Sequence, residues 1–183
     1  FSNEYFYEGK LTADKSVARR MLEGDLNPIQ FIDTAGTGYN EEAGAEGNSR
    51  MNKGEAELAM KMYSMLKEQT QQFFSCALIS PYRAQIELLE RVFKEEEVTI
   101  NTVDSFQGQE ADVVIISLVR SNDENEIGFL KDYRRMNVAL TRARKKLIVI
   151  GDSATIGGDS FYQEMLQFFE VQESYESAWI YMT

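Results

Sequence analysis

From Leu130 to Asp152 the chain reads LKDYRRMNVALTRARKKLIVIGD, and this stretch decides the fold. Its later part, Leu147 to Ile150, is an unbroken apolar run of the kind that forms a parallel strand covered on both faces. Ahead of it, Met136, Val138, Ala139, Leu140 and Ala143 recur at near-helical spacing, while Arg134, Arg135, Arg142, Arg144, Lys145 and Lys146 carry the charge. The spacing predicts a basic amphipathic helix feeding a buried strand. Because the chain as a whole is acidic, cations gathered in a segment that must also dock on a sheet point to an anion nearby.

Working outward, 183 residues fit one domain of ordinary size with a sizeable core. Lys and Arg total 19 against 30 Asp and Glu, a net charge of −11, the wrong sign for a module that holds nucleic acid by phosphate neutralisation alone. Any such contact must be local. There is no His, which removes His general bases, Ser-His-Asp triads and His metal sites. Cys76 is the single cysteine, so no internal disulfide or thiolate zinc site is expected, and its apolar neighbours place it in the core of a protein from a reducing, cytoplasmic compartment. No apolar run approaches the ~18 residues of a membrane span, so no membrane association is expected. A chain that opens on Phe1 and closes on Tyr181-Met182-Thr183 reads as part of something longer.

Along the chain, Ile29 to Asp33 reads as a short strand. The glycines at 36 and 38 lack the third glycine and the following helix that a dinucleotide fingerprint needs. Residues 36–48 are expected to be a mobile acidic loop. Ser49 to Phe74 predicts a long helix, with Leu58, Met62, Met65, Leu66 and Phe73 as its inward stripe and Asn52 to Glu55 as its opening. Ser75 to Ser80 predicts a strand that runs into a helix at Pro81, which places Ser80, Pro81 and Tyr82 on the carboxyl edge of a parallel sheet, where such folds bind ligands. Two more strands are expected at Val98–Val103 and Val113–Val119, joined by the short polar loop Asp104 to Asp112. Gly157 to Phe169 predicts a last helix with Phe161, Met165, Phe168 and Phe169 inward. Alternation of strands and helices favours an α/β domain with a parallel sheet and right-handed crossovers.

Several of these stretches carry a family resemblance. Arg135 to Ala143, RMNVALTRA, resembles motif VI of superfamily 1 helicases, in particular the branch that contains the helicase of nonsense-mediated mRNA decay. Thr102 to Asp112, TVDSFQGQEAD, resembles motif V of the same enzymes, and Ser80 to Gln85, SPYRAQ, resembles their T/S-P-Y-x-x-Q motif. Phe1 to Leu11 is similar to the aromatic segment that opens the second motor domain, although a plain aromatic anchor describes it as well. Ser49-x-x-Asn52-x-x-Glu55-Ala56 resembles a further short signature, and helix capping accounts for Asn52 and Glu55 equally well.

The resemblance implies a RecA-like α/β domain over residues 1–170, with an opening segment at 1–28 and a docking tail at 171–183. It implies that ATP with Mg²⁺ lies between two motor domains and is held mainly by the first, a partner that belongs to the same full-length protein. Arg142 would then act as an arginine finger, with Gln107, Gly108 and Glu110 also facing the nucleotide. Ser80, Pro81, Tyr82, Thr102, Asp104 and Ser105 would face single-stranded DNA or RNA and shift along it as the cleft closes. No G-x-x-x-x-G-K-[ST] phosphate loop occurs in the sequence, so the isolated chain is expected not to hydrolyse ATP. The competing expectation is a non-catalytic RecA-like module with a regulatory or protein-binding role.

Overall fold

A computed structural model describes residues 1–10, 21, 22, 24, 27–45, 47, 49–70 and 72–182. In chain order the elements are helix α1 (Ser2–Tyr7), strands β1 (Ile29–Asp33), β2 (Glu42–Ala43) and β3 (Arg50–Met51), helix α2 (Lys53–Gln69), β4 (Cys76–Ser80) and α3 (Arg83–Val92). They continue with β5 (Thr99–Thr102), β6 (Ala111–Ser117), α4 (Tyr133–Leu140), β7 (Ala143–Gly151), α5 (Ser153–Ile156), α6 (Ser160–Val171) and β8 (Tyr175–Ser177).

Six strands form one sheet in the order β5-β4-β6-β7-β1-β8, every neighbouring pair parallel. The apolar runs become its centre because both faces are covered. On one face Val114, Ile116 and Val149 pack with Met136 of α4 and with Phe161, Met165 and Phe169 of α6. On the other, Val113, Ile115, Ile148 and Ile150 pack with Leu58, Ala59 and Met62 of α2 and with Leu89 of α3. This three-layer parallel sheet is the expected RecA-like architecture. The helix starts are satisfied by side chains: Asn52 accepts from the Glu55 amide at 3.0 Å, and Asp132 from that of Arg135 at 3.2 Å.

The structure corrects the sequence reading at the basic segment. The helix ends at Leu140, and Arg144, Lys145 and Lys146 belong to β7. Thr141 Oγ1 donates to the Asn137 and Val138 carbonyls, and Arg142 Nε donates to that of Val138 at 2.9 Å, so side chains occupy the terminal helix acceptors and the chain turns. The three strand cations are then absorbed at the sheet's amino edge. Arg144 and Lys145 each approach Asp112 to 3.5 Å, and buried Lys146 donates to the Asn27 carbonyl at 2.8 Å.

Helix α2 likewise stops at Gln69, before Phe74, and Phe73 is 83% exposed rather than part of the inward stripe, because extended Thr70 breaks the helical phase. Within 36–48, Glu42–Ala43 pairs antiparallel with Arg50–Met51, and Glu41 forms an ion pair with Arg120 at 2.9 Å. The C-terminal segment docks by adding the edge strand β8 beside β1. Phe1, Tyr5 and Phe6 of the opening segment surround Phe161, with ring centroids 4.9 to 5.8 Å apart. Leu11 and the rest of residues 11–20 lie outside the described residues.

Candidate functional site

The residues singled out in the sequence gather at two opposite ends of the sheet. At the carboxyl edge, β4 and β5 end side by side, with Ser80 level with Thr102. Pro81, Thr102 and Asp104 line one depression together with Phe129, Asp132 and Arg135. Thr102 Oγ1 donates to Ser105 Oγ at 3.0 Å and accepts from the Ser105 amide at 3.3 Å, which fixes the turn. Arg135 binds Asp104 at 3.0 Å and Asp132 at 3.3 Å.

Ser80 and Tyr82 do not join that surface with their side chains. Ser80 is fully buried, its hydroxyl accepting from the Tyr82 amide at 3.4 Å, and Tyr82 is 2% exposed. The Tyr82 hydroxyl donates to the Ile127 carbonyl at 3.4 Å and accepts from the Phe129 amide at 3.2 Å, and burial raises its phenol above the ordinary value. The expectation that these two side chains face a nucleic acid is therefore corrected: they shape the edge from beneath.

At the amino edge, Glu110 stands one residue before β6 and Arg142 one residue before β7, and the Ala111 amide donates to the Arg142 carbonyl at 3.2 Å. Gln107, Gly108 and Glu110 are exposed. Gly108 has φ +81°, a conformation that favours glycine, and the space beyond its missing Cβ is open. Beyond its contacts with Val138 and Thr141, the Arg142 guanidinium has no carboxylate partner among the described residues, whereas Arg135, Arg144 and Lys145 are all paired. The segment 103–110 connects the two edges, with Val103 and Phe106 buried in the core. Helix α4 makes the same crossing, and the Arg135–Asp104 pair ties it to that segment at the carboxyl edge.

A buried polar network under the carboxyl edge escaped the sequence reading. Gln85 accepts from the Asn52 amide at 2.8 Å and donates to the Asn52 carbonyl and to Ser117 Oγ. Ser117 Oγ in turn donates to Glu55 Oε2 at 2.6 Å, and the Val119 amide donates to the same oxygen at 2.9 Å. Glu55 Oε1 is buried without a hydrogen-bond partner, and burial pushes the carboxyl up to about 8. Glu55 therefore extends beyond helix capping and clamps α2 to the end of β6. The available signal was the co-occurrence of Asn52, Glu55 and Gln85 in two polar motifs that border apolar runs. Among the described residues no group of three or more acidic or Cys side chains is placed to hold a metal ion, and no helix is long and apolar enough to cross a membrane.

A family model described as "AAA domain" matches residues 1–154. The chain is 36% identical over its whole length to DNA-binding protein SMUBP-2 of Rattus norvegicus, of which it covers 20%. It is 38% identical, over 93% of its length, to the DNA polymerase alpha-associated DNA helicase A of Schizosaccharomyces pombe, covering 28% of that protein. To the regulator of nonsense transcripts 1 homolog of Drosophila melanogaster it is 32% identical over 93% of its length, covering 15% of that protein. The chain thus spans between about a seventh and a little over a quarter of these relatives.

Proposed function

This chain belongs to the AAA domain family, as a superfamily 1 helicase domain of the nonsense-decay-helicase type, and we propose that it serves as the C-terminal motor domain of an ATP-dependent DNA or RNA helicase. In this reading the amino edge faces ATP across a cleft, and the first RecA-like domain of the same full-length protein forms the opposite wall. The observation that carries it is Arg142, a guanidinium without an acid partner among the described residues of an acidic chain, beside the open Gly108–Glu110 turn.

The residues fit a nucleotide's phosphate and ribose edge and do not fit the metal. Arg142 offers a permanently charged planar fork that can neutralise equatorial phosphoryl oxygens, Gly108 permits close backbone approach, and exposed Gln107 and Glu110 offer polar groups to the rest of the nucleotide. Mg²⁺ and the triphosphate cradle would belong to the partner domain, where the metal would offset the phosphate charge. At the other edge, Pro81, Thr102, Asp104 and Ser105 form part of a single-strand track. A cytoplasmic, reducing location belongs to the same reading.

The test is Arg142→Ala in the full-length protein. Turnover should fall about 10³-fold or more, and Arg142→Lys should restore little, because a point charge lacks the fork. The melting temperature should fall by only a few degrees, about the cost of the lost Val138 contact. Normal hydrolysis by Arg142→Ala, or a full-length protein without ATPase activity, would favour instead a non-catalytic module with a regulatory or protein-binding role.

A further inference from the structure

We propose that Phe129 is a stacking platform for one nucleobase of the bound single strand, an inference that rests on the nucleic-acid track read above. The sequence assigns the aromatic of that track to Tyr82, but Tyr82 is buried and the exposed ring above it is Phe129, 56% accessible. Their centroids lie 5.4 Å apart with an interplanar angle of 41°. Phe129 belongs to a short 3₁₀ turn, Gly128–Lys131, whose amide at Phe129 is held by the Tyr82 hydroxyl. The turn is pressed down tightly. Gly128 has φ +51°, and a Cβ there would meet Arg120 Nη1 at 2.4 Å and the Tyr82 hydroxyl at 2.7 Å. The ring is thus backed by a fixed neighbour and presented to solvent, which lowers the ordering cost of binding.

Its surroundings select the ligand. Phe129 borders the depression that holds Pro81, Thr102, Asp104 and Asp132, and also a wider one where Asp132 is outnumbered by Lys131, Arg134 and Arg135. Lys131 and Arg134 are exposed and have no acid partner among the described residues. A lone exposed aromatic flanked by free cations suits a polyanion that carries flat bases: the cations meet phosphates and the ring meets a base. An apolar protein partner would need further exposed apolar side chains. In these two depressions Phe6, Pro81 and Tyr133 are half-buried, and Val103 and Met136 are buried, so Phe129 is the one exposed apolar side chain among their lining residues.

The experiment measures binding of a fluorescein-labelled oligothymidylate, and of a strand of equal length with abasic sites, to the full-length protein at several salt concentrations. Phe129→Ala should weaken oligothymidylate binding about tenfold, within the roughly 5- to 150-fold expected for one stacked base. The salt slope should be unchanged, because no phosphate contact is removed. Phe129→Trp should restore affinity and Phe129→Leu should not, while binding of the abasic strand should be the same for wild type and Phe129→Ala. Equal affinity of wild type and Phe129→Ala for oligothymidylate would overturn the proposal and leave the track intact. Equal losses on both strands, or rescue by Leu, would also overturn it, in favour of an apolar protein contact. If folded wild type binds no single strand at all, the track reading fails and the stacking role falls with it.

Discussion

Glu55→Gln should remove one pH-dependent contribution to stability between pH 5 and pH 8. The Glu55 carboxyl is fully buried, takes two hydrogen bonds on Oε2 and none on Oε1, and is pushed from the ordinary 4.5 up to about 8 by desolvation, against the pull of its Ser117 and Val119 donors. Between those two values the folded chain retains a proton that the unfolded chain has released. Stability therefore falls as pH rises, by about 1.4 kcal/mol per pH unit, and levels off above the folded value. From pH 5 to pH 7 the wild type should lose roughly 2–3 kcal/mol at this group that Glu55→Gln does not lose. At pH 5 the variant should be less stable by about 1–3 kcal/mol, because its carbonyl keeps the Ser117 and Val119 donors while its new NH₂ group replaces an oxygen that has no partner. By pH 8 that deficit should close or reverse. Urea denaturation followed by far-ultraviolet circular dichroism, with both proteins in the same buffers, measures the difference directly. A gap that stays constant from pH 5 to pH 8 would mean that Glu55 carries the same charge folded and unfolded, and would refute the reasoning.

Gly128→Ala should lower stability by about 1–3 kcal/mol, since the positive φ and the close approach of Arg120 and Tyr82 both penalise a Cβ; an unchanged urea midpoint would show that the turn relaxes freely. The isolated 183-residue chain should release no phosphate from ATP with Mg²⁺, with or without a single strand, because its sequence holds no phosphate loop and its described residues no metal-binding cluster. Robust magnesium-dependent hydrolysis by a clean preparation would contradict this.

The central strands were legible because burial on both faces leaves an uninterrupted apolar signal, as in Cys76–Ser80 and Leu147–Ile150, and Pro81 marks where one of them ends. The basic segment misled because four charges at Arg142 to Lys146 conceal a strand start behind what reads as a helix. The acceptors of Arg144, Lys145 and Lys146, namely Asp112 and the Asn27 carbonyl, are distant in sequence, and only the fold brings them close. Tyr82 shows a related limit. An aromatic next to Pro81 at a sheet edge has the same composition whether its ring faces solvent or the core, and the choice was made by Gly128 and Arg120 some forty residues later. Glu55 and Gln85 were visible as polar motif residues, but their pairing through Ser117 depends on strand β6 lying beside β4.

The crossing of segment 103–110 from one edge of the sheet to the other sets a length. Strand β6, Ala111–Ser117, covers the same interval, and at about 3.3 Å per residue it separates the Arg142 edge from the Thr102 edge by about 20 Å. That exceeds the Debye length of ~8 Å at physiological salt, and a unit charge at such a distance contributes less than about 1 kcal/mol at an effective dielectric constant near 20. In the proposed reading, a change of charge at the Arg142 edge would therefore be too faint to be felt directly by a single strand at the Thr102 edge. What can cross the gap is displacement. With Phe106 locked in the core and α4 tied to the same segment through Arg135 and Asp104, the two edges would move as the ends of one stiff beam.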